Sequence, residues 1–256
     1  MNKRTTKDNS NLEELFHYDK KYVSKNNKWS YDSLFKSADN AFFDLIRKII
    51  NQKGICKILD LGCGDGSRTR QLSLDPNVYL IGIDISKKGI QKAKVNKIGN
   101  SEYIMMDVEK LSFKKNTFDL IIDYGSFSSF KINYVWPQLK KIIKPKGVIV
   151  GIETLGNNPL FNIKRKFNIK RKLRTSRIND NIITLNQLFL LSRDSNNFTF
   201  KTFGFISTIL SPLVLLFDNS FINYCIRSAD KIDENIFMKF HFFQKLSFKV
   251  LFQYTF

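Results

Sequence analysis

The sequence of 256 residues has little cysteine and no long hydrophobic run. Its three cysteines, at positions 56, 63 and 225, lack the spacing of metal ligands, so we expect no metal site and favour reduced thiols. The longest apolar stretch, 203–217, is too short for an ordinary transmembrane helix and contains Pro212. The amino terminus lacks the apolar core of a signal peptide. We therefore expect a cytoplasmic protein without a transmembrane segment.

Histidine is equally scarce, since His17 and His241 are the only two. Histidine is the most frequent general base in enzymes, but each of these two is more readily explained as a packing residue. Because of its amino-terminal position, His17 is the better candidate for a base.

Acidic residues are outnumbered, with 23 Asp and Glu against 42 Lys and Arg, which gives a formal net charge of +19. A composition rich in Lys, Asn, Ile and Phe, typical of an AT-rich coding sequence, explains much of this excess. One run, 164–177, is harder to explain in that way because it contains many bases and no acid: Lys164, Arg165, Lys166, Lys170, Arg171, Lys172, Arg174 and Arg177. Either it contacts phosphate or an anionic membrane, or it is a solvated helical face.

A glycine turn is the most informative feature that the sequence does contain. The apolar segment 57–61 predicts a buried strand that runs into Gly62, Gly64 and Gly66, with a helix expected from about Ser67. A dinucleotide-binding turn would read Gly-x-Gly-x-x-Gly, but its last position is Ser67 here. The acidic Asp60 suits a ligand with a positive amino or sulfonium group better than a pyrophosphate.

Further strands are predicted to end in carboxylates. Apolar runs at 78–83 and 102–106 precede Asp84 and Asp107, and Asp84 follows Asp60 by 24 residues, the spacing of a ribose-binding acid in a Rossmann-like unit. A lone aspartate of this kind often only caps a helix. Three aspartates after three successive strands instead favour a ligand site at the carboxyl edge of a parallel sheet.

These motifs resemble those of the class I S-adenosylmethionine-dependent methyltransferases, whose first motif is acidic-x-Gly-x-Gly-x-Gly. The resemblance implies S-adenosylmethionine as cofactor, with Asp84 on the ribose and the methionine part near Asp60 and the glycines. It also places Ile85 and Asp107 at the adenine. The complete set implied for the cofactor is Asp60, Gly62, Cys63, Gly64, Gly66, Asp84, Ile85, Asp107 and Val108.

The resemblance also implies an α/β fold with a Rossmann-like, seven-stranded, doubly wound sheet whose last strand is antiparallel. We expect amino-terminal lid helices over 1–50, a cofactor-binding core over 51–156, and substrate-side insertion and completion of the sheet over 157–256. Trp29 and Tyr31 lie between the expected lid helices and either contact the ligands or anchor the lid. Helices are expected at 184–193 and within 206–239, and strands at 198–203 and 247–253.

Acceptor-side residues are expected after the fourth and fifth strands. Asp123 and Tyr124 follow the fourth strand and Glu153 ends the fifth, at the edge where open α/β sheets bind ligands. Many relatives carry a Glu-His or His-His pair where this chain has Ser128 and Ser129, and serine is too weakly basic to replace it.

The function implied is direct in-line methyl transfer to a small molecule or to a saccharide- or lipid-linked acceptor. An Asn-Pro and an Arg-Thr pattern after the fifth strand resemble a bacterial subgroup that modifies cell-surface saccharides, lipids or secondary metabolites. An RNA methyltransferase remains an alternative because of the positive charge, although no RNA-binding module is recognisable. A non-catalytic cofactor-binding scaffold is the other alternative. Peripheral contact with the inner face of the membrane through 164–177 is also left open.

Overall fold

One seven-stranded sheet organises the molecule. The computed structural model describes residues 36–171, 181–206 and 220–256. The strand order is β3-β2-β1-β4-β5-β7-β6, and only β7 runs antiparallel to its neighbours. This is the predicted methyltransferase-like topology. The strands are β1 (Cys56–Leu61), β2 (Val78–Asp84), β3 (Ser101–Met105), β4 (Phe118–Tyr124), β5 (Ile143–Thr154), β6 (Asn197–Phe203) and β7 (Lys249–Thr255).

The described ranges contain six α-helices, of which α1 precedes the first strand. They are α1 (Lys36–Lys53), α2 (Lys87–Val95), α3 (Ile132–Ile142), α4 (Pro159–Lys170), α5 (Leu185–Leu191) and α6 (Ser220–Lys239). Short 3-10 helices occupy Arg70–Leu74, Val108–Lys110, Phe127–Ser129, Ser192–Asp194 and His241–Leu246. Within these ranges, every helix is too short or too polar to cross a bilayer.

Both faces of the sheet are covered, as the near-continuous apolar strands require. On one face α1 buries Phe42, Ile46 and Ile50, a four-residue spacing that aligns them along one side of the helix. On the other face, α3 and α5 pack their apolar residues against the opposite sides of the same strands. The central strands β1 and β4 are therefore buried on both sides, and the site can form only at the ends of the strands.

The segment after the glycine turn differs from the prediction, because a 3-10 helix at Arg70–Leu74 replaces the expected α-helix from Ser67. Asp75 precedes Pro76 and adopts an extended conformation, with φ −68° and ψ 123°, as residues before proline commonly do. The Ser73 hydroxyl bonds to the carbonyl oxygen of Ile98 at 2.6 Å and so ties the short helix to the loop before β3. The proline leaves too few residues for a full helix.

The carboxyl-terminal elements agree with the predicted ones. Helix α5 starts after Thr184, whose side chain forms a capping box with Gln187. Strands β6 and β7 add to the sheet beside β5, so 157–256 completes the sheet that 51–156 begins. The proposed boundaries between the three segments stay a prediction. Predictions for His17, Trp29, Tyr31 and residues 172–180 fall outside the described residues.

Candidate active site

The carboxyl edge of the parallel strands brings the predicted site residues together. Strand β1 lies between β2 and β4, so the chain leaves the centre of the sheet in both directions, and ligands bind at such a switch point in open α/β sheets. In this register Leu61 is level with Ile83 of β2 and Asp123 of β4. The glycine turn therefore begins beside Asp84 on one side and Asp123 on the other.

The glycine turn requires glycine for two physical reasons. Gly62 and Gly66 adopt φ values of +64° and +70°, a region that other residues rarely occupy. A Cβ atom on Gly62 would lie 2.5 Å from Cβ of Ser126, and one on Gly66 would lie 2.9 Å from the Tyr103 hydroxyl oxygen. The turn is therefore packed closely against the loop after β4 and against β3, and its backbone is open to a ligand only on the remaining side.

Asp84 ties the turn to the second strand. One of its carboxylate oxygens accepts a 2.8 Å hydrogen bond from the Gly64 amide, and the other accepts a 2.7 Å bond from Ser86. The residue is 9% exposed. Its carboxylate therefore lies where the glycine turn meets the end of β2, at the edge where a ligand is expected. Ile85 is half-buried next to it and offers an apolar side chain.

Asp60 lies beneath the same turn. It is buried and accepts a short hydrogen bond from the Thr69 hydroxyl. Burial and, to a smaller extent, the nearby Asp84 charge raise the pKa of Asp60 to about 7, although the Thr69 hydrogen bond lowers it. Burial also raises the pKa of the neighbouring Cys63 thiol well above its usual value, which disfavours its thiolate form.

Asp107 follows β3 at the same edge. Its carboxylate accepts a 2.8 Å hydrogen bond from the Glu109 amide and caps the short helix Val108–Lys110. Val108 is buried at its start, while Met105 is 58% exposed. The capping role and the place at the ligand edge are compatible, because one amide donor occupies only part of the carboxylate.

Asp123 and Glu153 are more deeply buried than an acceptor-contacting pair would be, at 0% and 2% exposed. Asp123 accepts hydrogen bonds from the amide and the hydroxyl of Ser126, and Glu153 accepts one from the Phe127 amide. Burial and the Glu153 charge raise the pKa of Asp123 well above its usual range. The pair fixes the loop after β4, and its contact with an acceptor stays a prediction.

Tyr124 turns to the opposite face of β4 and lies in an aromatic and cationic setting. Its ring lies 5.5 Å from that of Phe42, and stacks on that of Phe43 at 6.2 Å. The Arg68 guanidinium lies 5.4 Å and the Lys249 ammonium 5.5 Å from the ring centre, both within cation–π range. Arg68 directly follows the glycine turn, so Tyr124 joins that turn to the acceptor side.

A cleft of about 340 Å³ continues from this position along the flank of the sheet. It lies between α1 and the 3-10 helix Arg70–Leu74. Phe43 and Arg68 line the end nearest Tyr124, and Arg47, Asn51 and Gln71 add polar groups. Replacement of the expected α-helix by a shorter 3-10 helix leaves this space beside α1.

Thr69 and Ser126 were not singled out by the sequence reasoning. Thr69 hydrogen-bonds Asp60, and the Ser126 hydroxyl lies 3.0 Å from the Leu61 carbonyl oxygen while it donates to Asp123. Because the sequence predicted an α-helix from Ser67, it gave no reason to expect the Thr69 side chain to face Asp60. The sequence held one usable signal for Ser126, since an aspartate at the end of a strand commonly accepts hydrogen bonds from the backbone amides that follow it.

A family model described as a methyltransferase domain matches residues 52–187, which is more than half of the chain and includes the whole edge described above. The chain belongs to this methyltransferase domain family. The match confirms the resemblance to the class I S-adenosylmethionine-dependent methyltransferases. It spans β1 to α5, and the two carboxyl-terminal strands lie beyond it.

Individual relatives are more distant. The chain is 26% identical over 174 residues to the mitochondrial arginine hydroxylase of Danio rerio, covering 63% of this chain and 52% of the relative. It is 31% identical over 118 residues to the ubiquinone/menaquinone biosynthesis C-methyltransferase of Wigglesworthia glossinidia brevipalpis, covering 43% and 46%. The chain thus spans about half the length of the curated relatives it matches.

A solved structure of phosphoethanolamine N-methyltransferase 2 of Haemonchus contortus, in complex with S-adenosyl-L-methionine, has the same fold. It superposes with a TM-score of 0.60 at 15% identity, covering 94% of this chain and 56% of that one. The fold of this chain is therefore that of a methyltransferase.

Proposed function

We propose that this chain catalyses S-adenosylmethionine-dependent methyl transfer to a small-molecule acceptor. The hydrogen bond from the Gly64 amide to Asp84 is the observation that carries the proposal, because it couples the glycine turn to the acid of the second strand at the switch point. The family match and the cofactor named in the Haemonchus contortus complex support the same conclusion. A cytoplasmic location stays a prediction.

The residues of the edge fit such a cofactor. Asp84 lies where it could accept from ribose hydroxyls, Ile85 and Val108 would provide apolar contacts near an adenine, and Asp107 would accept from an amino group. Asp60 would favour a positive group above the glycine turn once it is ionised. When bound, S-adenosylmethionine supplies an electrophilic methyl group, and the protein contributes by holding the reacting groups in line.

The acceptor is proposed to approach beside Tyr124. Two cations, Arg68 and Lys249, flank this ring, and Lys249 also pairs with Asp39 at 2.9 Å. An aromatic ring between cations suits an acceptor with an apolar body and an anionic group. Saccharide- and lipid-linked acceptors belong to this proposal. Asp123 and Glu153 position the loop beside the acceptor.

Calorimetric titration with S-adenosylmethionine and with its demethylated product tests the cofactor assignment. We expect Asp84→Asn to weaken binding at least about tenfold, as loss of a charge-assisted hydrogen bond would. Asp119→Asn is the matched control, because Asp119 accepts from the Lys57 amide at the opposite edge of the sheet. Equal affinities of the two variants would contradict the placement of the cofactor at Asp84.

The Danio rerio relative shows why the reaction needs its own test, since its name is that of an arginine hydroxylase. Mass spectrometry of acceptors incubated with the protein and S-adenosylmethionine distinguishes a transferred methyl group from an added oxygen atom. Cofactor binding without modification of any acceptor in a broad screen would favour the scaffold interpretation. Steeply salt-dependent binding of tRNA would favour RNA as the acceptor.

A further inference from the structure

Two segments without acidic residues meet beside the carboxyl edge of the sheet. The first segment, residues 158–171, contains helix α4, and the second, residues 238–248, contains the end of α6 and the 3-10 helix His241–Leu246. The Asn158 side-chain amide donates a hydrogen bond to the Leu246 carbonyl oxygen, and the rings of Phe161 and Phe248 lie 3.9 Å apart. The two segments therefore form one continuous part of the surface, next to the ends of the strands that carry Glu153 and Lys249.

The charge of this part of the surface has one sign. The sequence contains no Asp or Glu from 154 to 179 or from 235 to 256. Arg165 is 4% exposed and donates to the Leu155 carbonyl oxygen, so it stabilises the fold and is not a surface cation. Among the side chains of the two segments that the structure describes, the exposed bases are Lys166, Lys170, Arg171, Lys239 and Lys245.

The same segments expose large apolar side chains. Ile163 and Phe167 of α4 are 67% and 53% exposed, and Met238, Phe240 and Phe242 are 70%, 59% and 68% exposed. These five side chains, together with the five exposed bases, are called the docking surface here. From Met238 to Phe242 every residue is exposed, and Lys239 and His241 alternate with the apolar ones.

The exposed segment is held in place by packing on its inner side. The ring of Phe243 lies 5.2 Å from that of Phe205, 6.2 Å from that of Phe240 and 6.0 Å from that of Phe242. On α4, the Arg171 guanidinium lies 4.3 Å from the Phe167 ring centre. The apolar side chains are thus presented by an anchored backbone, beside cations whose long stems can extend past them.

We propose that the docking surface binds the interfacial region of an anionic lipid bilayer, so that the carboxyl edge of the sheet lies close to the membrane. Apolar side chains that enter the headgroup boundary, together with bases that meet anionic lipids, are the two contributions on which peripheral membrane binding rests. Membrane binding itself does not depend on the proposed function. Only its consequence does, which is that the acceptor would come from the membrane.

A bilayer fits the docking surface better than two other partners. A second copy of the chain would bring two positively charged surfaces together, which costs free energy. Single-stranded RNA could stack on the three exposed Phe rings, but Ile163 and Met238 add exposed apolar area that base stacking does not use. An anionic bilayer complements both the charge and the aliphatic side chains.

Co-sedimentation with vesicles of phosphatidylcholine, with and without phosphatidylglycerol, tests the proposal. We expect the full chain to bind only the vesicles with phosphatidylglycerol, and to be released by salt. The variant Phe240→Ser with Phe242→Ser should bind at least about tenfold more weakly. Replacement of Lys166, Lys170 and Arg171 by Gln should weaken binding roughly fivefold for each charge.

The matched control is Ile55→Ser with Val95→Ser, because both side chains are 84% exposed and lie outside the docking surface. Its vesicle binding should stay that of the unchanged chain. Failure of the chain to bind the anionic vesicles, or an equal loss in the control, would overturn the proposal. Concentration-dependent dimerisation that Phe240→Ser with Phe242→Ser abolishes would assign the surface to a second copy instead.

Calorimetry with S-adenosylmethionine, run on the same variants, separates this inference from the proposed function. Unchanged cofactor binding with lost vesicle binding supports the docking surface and shows that the variant is folded. If the unchanged chain binds the cofactor but not the anionic vesicles, the docking surface is overturned and the proposed function stands. Vesicle binding by a chain that fails to bind the cofactor supports the surface and contradicts the proposed function.

Discussion

Replacement of Thr69 by valine tests whether Asp60 controls the binding of a cationic cofactor. Thr69 is 1% exposed, and its hydroxyl donates to the buried Asp60 carboxylate. Valine keeps the shape of threonine and removes the hydroxyl. The variant therefore removes a hydrogen bond that lowers the pKa of Asp60, while burial and the Asp84 charge, which raise it, remain.

The size of the effect follows from the hydrogen bond. A hydrogen bond to a charged group contributes about 1.5 to 3 kcal/mol, and one pKa unit corresponds to about 1.4 kcal/mol. The pKa of Asp60, about 7 in the unchanged chain, should therefore rise by roughly one to two units. If the ionised form binds the sulfonium cofactor, affinity at pH 8 should fall roughly two- to tenfold.

Calorimetric titration with S-adenosylmethionine across pH 6 to 9.5 measures this. Affinity of the unchanged chain should rise with pH, with a midpoint near the pKa of Asp60, and Thr69→Val should move the midpoint upward. Asp60→Asn is the control, since it should remove this step and leave only titrations of other groups. A midpoint that Thr69→Val leaves unmoved, or a step that persists in Asp60→Asn, would refute the assignment of Asp60.

The same pKa has a consequence for stability without ligand. The pKa of Asp60 is raised above its unfolded value, so its contribution to stability is present below about pH 4 and is lost as pH rises through about 7. Bound cofactor would offset this loss. The most stable form of the free protein and the form that binds best are therefore expected at different pH values.

Three further changes test the turn and the loop beside it. Gly62→Ala should lower the free energy of unfolding by about 1 to 3 kcal/mol more than Gly54→Ala, measured in urea, because both have positive φ but only Gly62 would clash with Ser126. Ser126→Ala removes the hydroxyl between the Leu61 carbonyl oxygen and Asp123, and calorimetry should show weaker cofactor binding; unchanged affinity would contradict the coupling of loop and turn. Glu153→Gln removes a charge that raises the pKa of Asp123, so the loss of stability as pH rises should be smaller than in the unchanged chain, measured by urea unfolding at pH 6 and 9.

The sequence predicts the parallel half of this fold well because its strands are buried on both faces. Such strands appear as continuous apolar runs, and each ends at a residue that must face the ligand edge. Asp60, Asp84 and Asp107 were found in this way, and the structure places all three at one edge of the sheet. The alternating pattern of β6 was equally informative, since only part of that strand is buried.

The sequence could not predict which carboxylates face the ligand and which support the backbone. Asp84 and Asp123 both end apolar strands, yet Asp84 keeps some exposure while Asp123 is buried beside Glu153. The difference arises from the loop after each strand, because Ser126 and Phe127 fold back over Asp123 and cover it. The apolar pattern of a strand carries no information about how the loop after it folds onto the side chains at the strand's end.

The buried pair of Asp123 and Glu153 holds the loop after β4 in place, a structural role that is separate from contact with an acceptor. Burial and the neighbouring Glu153 raise the pKa of Asp123 well above its usual range, so the two buried carboxyl groups are expected to share a proton while the surrounding donors hold them in place. Those donors are the amides and the hydroxyl of the loop that also packs against Gly62. The glycine turn and the loop after β4 are thus joined through one cluster, so a change at Asp123 or Glu153 should alter cofactor affinity whether or not either residue contacts the acceptor.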